Sequence, residues 1–186
     1  LFPYTTLFRS ESSDPLEGLV SIVADTLGQI HRFGRDFHDE EGLLQEQIFS
    51  SMLAVVLAVV GWKKIKPTRE PLQAAGFPDL VVQQQGIQGH VVIETKIWPR
   101  NDYTEIQQQV DDYRVSDTIH GIAVMFGDRR VAGWVSDYEQ KCLPANAFIG
   151  VEAPPDLVGH WRVERQGPDG KLQRTDHFLV QVPKRL

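Results

Sequence analysis

The chain has 186 residues, of which 41% are hydrophobic, so we expect one globular domain with a sizeable core. Its net charge of −6 excludes nucleic-acid binding through overall positive charge, so any basic surface must be local. One cysteine, Cys142, rules out an internal disulfide and a zinc finger, and no apolar run reaches transmembrane length. We therefore expect a soluble, cytoplasmic protein with no membrane partner.

The first ten residues, LFPYTTLFRS, match the translation of a common sequencing-adapter oligonucleotide. We expect residues 1–10 to be an adapter-derived artefact and residues 11–186 to form a single domain. Upstream genomic sequence that encodes these residues in the native protein would contradict this expectation.

Two helices are predicted ahead of the first strand. Apolar residues recur at helical spacing over 15–33, with Asp14 placed to cap the helix. A second helix is predicted over 43–60, where Gly61 is a natural stop. Glu46 leads the apolar stripe of this second helix. It is either a helix-start acid favoured by the helix dipole or an additional carboxylate of a functional site.

The segment 62–66, WKKIK, predicts the first strand of a sheet. Its lysines Lys63 and Lys64 are typical of a solvated sheet edge. Beside an active site, the same lysines would instead contact nucleic-acid phosphates, which positions a substrate without reading its sequence.

Residues 77–98 read FPDLVVQQQGIQGHVVIETKIW, two apolar runs separated by a polar turn, and predict two strands joined by a loop. Alternation in the second strand places Glu94 and Lys96 on one face and Thr95 on the other. Ionised groups in so apolar a strand are costly unless they are paired or bind a metal ion. Asp79, at the start of the first strand, would provide the second carboxylate of a cation site.

Helices and strands alternate over the rest of the chain, which ends in a hairpin. The predicted elements are a helix over 103–115, a strand over 120–126, a helix over 129–143, a short strand over 147–151, and hairpin strands over 160–165 and 172–182.

The sequence Pro78-Asp79, followed after fourteen residues by Glu94-x-Lys96, resembles the signature of the PD-(D/E)XK nuclease superfamily. This resemblance implies an α/β fold with a restriction-endonuclease-like core. In such a core a central mixed β-sheet is flanked by helices in αβββαβ order. Here an N-terminal helix and a C-terminal β-hairpin would be added to it.

Gln109 and Tyr113 are four residues apart in the helix predicted after this strand, so they share a face. Gln-x-x-x-Tyr at this position resembles the additional motif of the RecB-like branch of the superfamily, in which both side chains approach the site. The alternative is ordinary packing of Tyr113 in a segment rich in glutamine.

The resemblance implies a metal-dependent nuclease that hydrolyses phosphodiester bonds, in DNA rather than RNA. Asp79 and Glu94 would hold Mg²⁺, for which Mn²⁺ can substitute, with the carbonyl of Thr95 as a third ligand. Lys96 would orient a water or stabilise developing negative charge, and Glu46 would bind a second ion or a ligand water. The expected substrate contacts are Gln109, Tyr113, Lys63 and Lys64.

Two other interpretations are open. One is a catalytically inactive nuclease-fold subunit that binds nucleic acid or protein. The other is an unrelated α/β domain in which Glu94 and Lys96 form only an ion pair. The oligomeric state is also open, with a homodimer as one alternative.

Overall fold

A seven-stranded mixed β-sheet flanked by four helices forms the framework of the described residues. The computed structural model describes residues 14–32, 43–60, 65–68, 78–100, 102–127 and 133–182. The strands are β1 (Ile65–Thr68), β2 (Leu80–Gln84), β3 (His90–Ile97), β4 (Thr118–Gly127), β5 (Phe148–Gly150), β6 (Gly159–Gln166) and β7 (Leu172–Gln181). The helices are α1 (Pro15–Arg32), α2 (Glu46–Val60), α3 (Ile106–Asp112) and α4 (Trp134–Lys141), with a 3₁₀ turn over Tyr103–Glu105.

The strands lie in the order β1-β2-β3-β4-β7-β6-β5. β1, β2 and β3 form an antiparallel meander, β3, β4 and β7 are parallel, and β7, β6 and β5 are antiparallel again. The parallel connection from β3 to β4 passes through α3, as parallel neighbours require a crossover. The predicted α/β class is confirmed.

One face of the sheet packs against α1 and α2. The α1 residues Leu19, Val23 and Leu27, spaced four apart, form a buried stripe. On α2, Phe49 stacks on Phe126 of β4 with ring centroids 3.9 Å apart. No described helix combines the length and apolarity needed to cross a membrane.

Strand β3 is buried along its whole length because helices cover both faces of the sheet. Ile93 packs in the cluster with α1 and α2, whereas Val92 and Trp98 pack in the cluster with α3 and α4. The predicted alternation of this strand is therefore confirmed. Glu94 and Lys96 are thus charged residues buried within a strand that is covered on both faces.

The helix predicted over 129–143 begins later than expected. Gly133 has a φ of 84°, a left-handed conformation that a right-handed helix does not contain, and α4 starts at Trp134. Residues 129–132 of the prediction lie outside the described residues.

Other element ends also differ from the predictions. The helix predicted over 103–115 is a 3₁₀ turn followed by the short α3. The first strand was predicted over 62–66, and its described part, β1, extends further along the chain. The C-terminal hairpin is present, with β6 and β7 paired in antiparallel register. Residues 1–10 and 62–64 lie outside the described residues.

Candidate functional site

Asp79 and Glu94 lie side by side at the start of β2. The antiparallel register pairs Leu80 with Ile93, and one further step brings Asp79 opposite Glu94. Asp79 Oδ2 accepts hydrogen bonds from the backbone N–H of Thr95 at 2.8 Å and from the Thr95 hydroxyl. The Asp79 N–H in turn donates to Glu94 Oε2 at 3.4 Å. Backbone pairing thus fixes the spacing of the two carboxylates that the sequence placed in one site.

Lys96 lies among three carboxylates that come from three parts of the chain. Its Nζ is 3.2 Å from Glu94 Oε1 on the same strand and 3.2 Å from Asp102 Oδ2 in the loop that follows. Glu46 Oε1, at the start of α2, is 3.7 Å away. The side chains of Lys96 and Glu94 are only 9% and 5% exposed, so little solvent screens these interactions.

The pKa values in this site are displaced from their ordinary ranges. Burial, followed by the charge of Asp79, raises the pKa of Glu94 to about 7, although Lys96 opposes the shift. Burial likewise raises the pKa of Glu46. Burial disfavours the Lys96 ammonium, but its carboxylate neighbours outweigh that effect and raise its pKa. The site therefore favours binding of additional positive charge.

Of the four predicted substrate contacts, the structure describes Gln109 and Tyr113. Burial, and next the charge of Glu94, raises the pKa of the Tyr113 phenol, which places Tyr113 within electrostatic reach of the site. Gln109 Oε1 is buried and has no hydrogen-bond partner in the part of the chain that the structure describes. Lys63 and Lys64 lie outside the described residues.

Asp102 is a site residue that the sequence analysis missed. It follows a Pro-containing turn and precedes the 3₁₀ turn that leads into α3. An acid at the start of a predicted helix is ordinarily explained by the helix dipole, so its spacing carries no signal of a site. Only the path of the loop brings it to Lys96.

A buried hydrogen-bond chain lies on the same face of the sheet. The Tyr138 hydroxyl is 2.7 Å from His177 Nδ1, and His177 Nε2 is 2.6 Å from Gln107 Oε1. Because the Gln107 oxygen can only accept, Nε2 carries the hydrogen and Nδ1 accepts from the tyrosine. Complete burial lowers the pKa of His177 to about 3, so the imidazole is neutral. This chain joins α3, α4 and β7 behind the site.

A second buried polar cluster centres on Asp176, on the face that packs against α1. His120 Nε2 and His160 Nε2 lie 2.7 Å and 2.6 Å from its carboxylate oxygens. Arg162 also donates to Asp176, and it reaches Glu17 of α1 at 2.7 Å. Although burial opposes ionisation of Asp176, these partners hold its pKa well below its usual range. The cluster ties three strands to α1.

The described residues contain no group of three or more His, Cys, Asp or Glu side chains arranged to hold a metal ion. Asp79 and Glu94 offer two carboxylates, which are hard oxygen donors. Mg²⁺ commonly binds through one or two carboxylates and keeps several waters, so this donor set suits Mg²⁺ better than an ion that needs a full protein cage.

Comparisons of the chain with protein-family models, with curated proteins and with solved structures found no match. The chemistry of the site is therefore the basis for inferring function.

Proposed function

We propose that the chain is a Mg²⁺-dependent nuclease that hydrolyses phosphodiester bonds in DNA. The observation that carries this proposal is the pairing of Asp79 with Glu94 across two strands, with the buried Lys96 ammonium 3.2 Å from Glu94. These are the residue types that the resemblance to PD-(D/E)XK nucleases requires. The order α2, β1, β2, β3, α3, β4 supports the same proposal, since it follows the helix and strand order expected of that core.

Asp79 and Glu94 would hold the cation, with the Thr95 carbonyl as a third oxygen. When bound, Mg²⁺ supplies Lewis-acid polarisation of a phosphate oxygen and lowers the pKa of an attacking water. The raised pKa of Glu94 supports a cation at this position, because a nearby positive charge would favour the ionised carboxylate. Mn²⁺ is expected to substitute.

Lys96 has the role of stabilising negative charge that develops on the phosphate during hydrolysis. Its carboxylate neighbours keep it protonated despite burial, so it can donate hydrogen bonds but cannot act as a base near neutral pH. Glu46 and Asp102, which both approach Nζ, hold the ammonium in place.

Gln109 and Tyr113 complete the proposed site from the side of α3. The buried Gln109 Oε1, which lacks a hydrogen-bond partner among the described residues, is suited to accept a hydrogen bond from a water in the site. The Tyr113 hydroxyl, near the charges of Glu94 and Lys96, is suited to a phosphate oxygen.

The test is cleavage of circular and linear DNA by the purified chain with Mg²⁺ and with chelator. We expect Mg²⁺-dependent cleavage that Asp79→Asn and Lys96→Met each reduce by about 100-fold or more. Asn retains an oxygen that can accept the Thr95 hydrogen bonds, and Met retains most of the buried lysine stem. Both variants should therefore fold, as circular dichroism would establish.

Matched controls are Asp169→Asn and Lys171→Met, which change exposed side chains in the C-terminal hairpin turn. Both controls should cleave at the wild-type rate. Wild-type cleavage by Asp79→Asn would contradict the proposed site. A chain that binds DNA but cleaves neither DNA nor RNA would instead support the inactive binding subunit.

A further inference from the structure

We propose that a groove beside the active site binds an unpaired nucleobase, so that the substrate is single-stranded where it is cut. The groove is an open cavity of about 450 Å³ between the β3–α3 loop and α4. We call it the aromatic groove, and its main lining residues are Trp98, Tyr103, Trp134, Asp137 and Lys141. This inference rests on the proposed nuclease function, because it names the substrate class of the same site.

The aromatic groove adjoins the proposed active site through the chain itself. Trp98 directly follows β3 and lies on the same side as Lys96, two residues or about 6.6 Å further along the strand. Tyr103 follows Asp102, whose carboxylate is 3.2 Å from Lys96 Nζ. A nucleotide whose phosphate lies at Lys96 therefore has aromatic rings within reach of its base.

Hydrogen bonds hold the rings of the aromatic groove in fixed positions. Trp98 Nε1 donates to Asp137 Oδ2 at 3.3 Å, and the Tyr103 hydroxyl donates to the same oxygen at 3.2 Å. Trp134, only 3% exposed, packs against Trp98 with ring centroids 5.3 Å apart. Binding to rings that are already ordered loses less side-chain entropy than binding to mobile ones.

An ion pair balances the charge inside the aromatic groove, so the groove does not repel a nucleotide. Lys141 Nζ forms an ion pair with Asp137 and lies 3.3 Å from the Tyr103 hydroxyl. The lysine therefore offsets the carboxylate that holds the rings. Its side chain is 51% exposed, so the ammonium can also reach a neighbouring phosphate.

Aromatic rings beside a cation favour single-stranded nucleic acid over a duplex. Every base presents a π-face that stacks on tryptophan or tyrosine, and such stacking does not depend on sequence. Bases inside a duplex are already stacked on one another and would have to be flipped out to enter the groove. The substrate we infer is thus a single strand, or a duplex end or flap with unpaired bases.

The experiment measures binding of a labelled single-stranded DNA oligonucleotide, and of the matching duplex, by fluorescence polarisation in chelator. We expect tighter binding of the single strand by the wild type. Trp98→Leu should weaken that binding by roughly 5- to 100-fold, whereas Trp98→Phe, which keeps a stacking ring, should lose much less. Quenching of tryptophan fluorescence by the oligonucleotide should accompany binding.

Phe148→Leu is the control, because it shortens an aromatic residue on β5 that does not line the aromatic groove. It should bind the single strand like the wild type. Should Trp98→Leu fail to fold, Tyr103→Leu replaces it with the same expectation. Equal binding of single strand and duplex, or wild-type binding by the folded leucine variants, would overturn the inference.

The binding assay separates this inference from the proposed function, because it contains no metal ion and measures no cleavage. A wild type that cleaves DNA while Trp98→Leu binds normally would refute the aromatic groove and keep the nuclease. A wild type that never cleaves, but loses single-strand binding on Trp98→Leu, would refute the nuclease and keep the groove.

Discussion

Replacing Glu94 by glutamine should stabilise the metal-free protein at alkaline pH. The pKa of Glu94 rises from 4.5 to about 7 on folding, because the carboxylate is buried beside Asp79. A raised pKa means that the folded state holds the proton more tightly than the unfolded state does. The wild type therefore loses stability as pH rises from about 4.5 to 7, whereas a neutral glutamine causes no such loss.

The size of the effect follows from the same shift. Each pKa unit corresponds to about 1.4 kcal/mol, so the wild type loses up to roughly 3 kcal/mol across this range. The attraction to Lys96, which is 3.2 Å from Glu94 Oε1, already opposes the shift and is included in this figure. We therefore expect Glu94→Gln to be more stable than the wild type by up to about 3 kcal/mol near pH 8, and equally stable near pH 4.

Urea denaturation in chelator at several pH values measures this difference in the free energy of unfolding. The control is Glu152→Gln, which removes a carboxylate from an exposed loop position and should match the wild type at every pH. Adding Mg²⁺ should raise the wild-type melting temperature near pH 8 and leave that of Glu94→Gln nearly unchanged. The reasoning would be refuted if the difference in the free energy of unfolding between Glu94→Gln and the wild type were no larger near pH 8 than near pH 4.

Two further outcomes are expected. Because His177 is neutral in the fold with a pKa of about 3, and the unfolded histidine protonates below about 6.5, wild-type stability should fall as pH drops. Between pH 7 and 5 this loss of stability is about 2 kcal/mol. In urea denaturation, the free energy of unfolding of His177→Gln should fall less steeply with falling pH than that of the wild type. An equally steep fall in both proteins would contradict a buried neutral imidazole. Asp102→Asn should lower the Mg²⁺-dependent cleavage rate by roughly 10-fold, less than Lys96→Met, because Glu46 and Glu94 still hold the ammonium. Loss as large as that of Lys96→Met would show that Asp102 itself contacts the reacting groups.

Patterns within single elements predicted much of the fold. The period-two alternation of β3 correctly assigned Glu94 and Lys96 to one face, because a doubly covered strand has no room to shift its register. The hairpin of β6 and β7 followed from the turn residues between its two strands, Gly167-Pro168-Asp169-Gly170. Such signals depend on neighbours in the sequence, which is why they can be read without a structure.

Contacts between distant segments could not be predicted in this way. His120 and Asp176 meet because β4 and β7 are parallel neighbours, although 56 residues separate them in the chain. His177 and Gln107 are 70 residues apart and meet only after α3 packs on the sheet. His160 reaches the same Asp176 carboxylate from β6, so residues of three strands meet at one buried acid.

Two buried carboxylates, Asp176 and Glu94, differ in a way that supports a functional role for Glu94. Asp176 receives hydrogen bonds from two histidines and an arginine, and its pKa lies below the usual range. Its ionised form is therefore well matched to the fold. Glu94 is equally hidden but shares Lys96 with other carboxylates, and its pKa is raised. The fold thus compensates the negative charge of Asp176 fully and that of Glu94 only in part. Incomplete compensation of this kind is expected at a binding site, where a ligand brings the remaining positive charge. The ligand that we propose for this position is a divalent cation bound with a phosphate substrate, because Asp79 and Glu94 provide hard oxygen donors and Lys96 provides an ammonium.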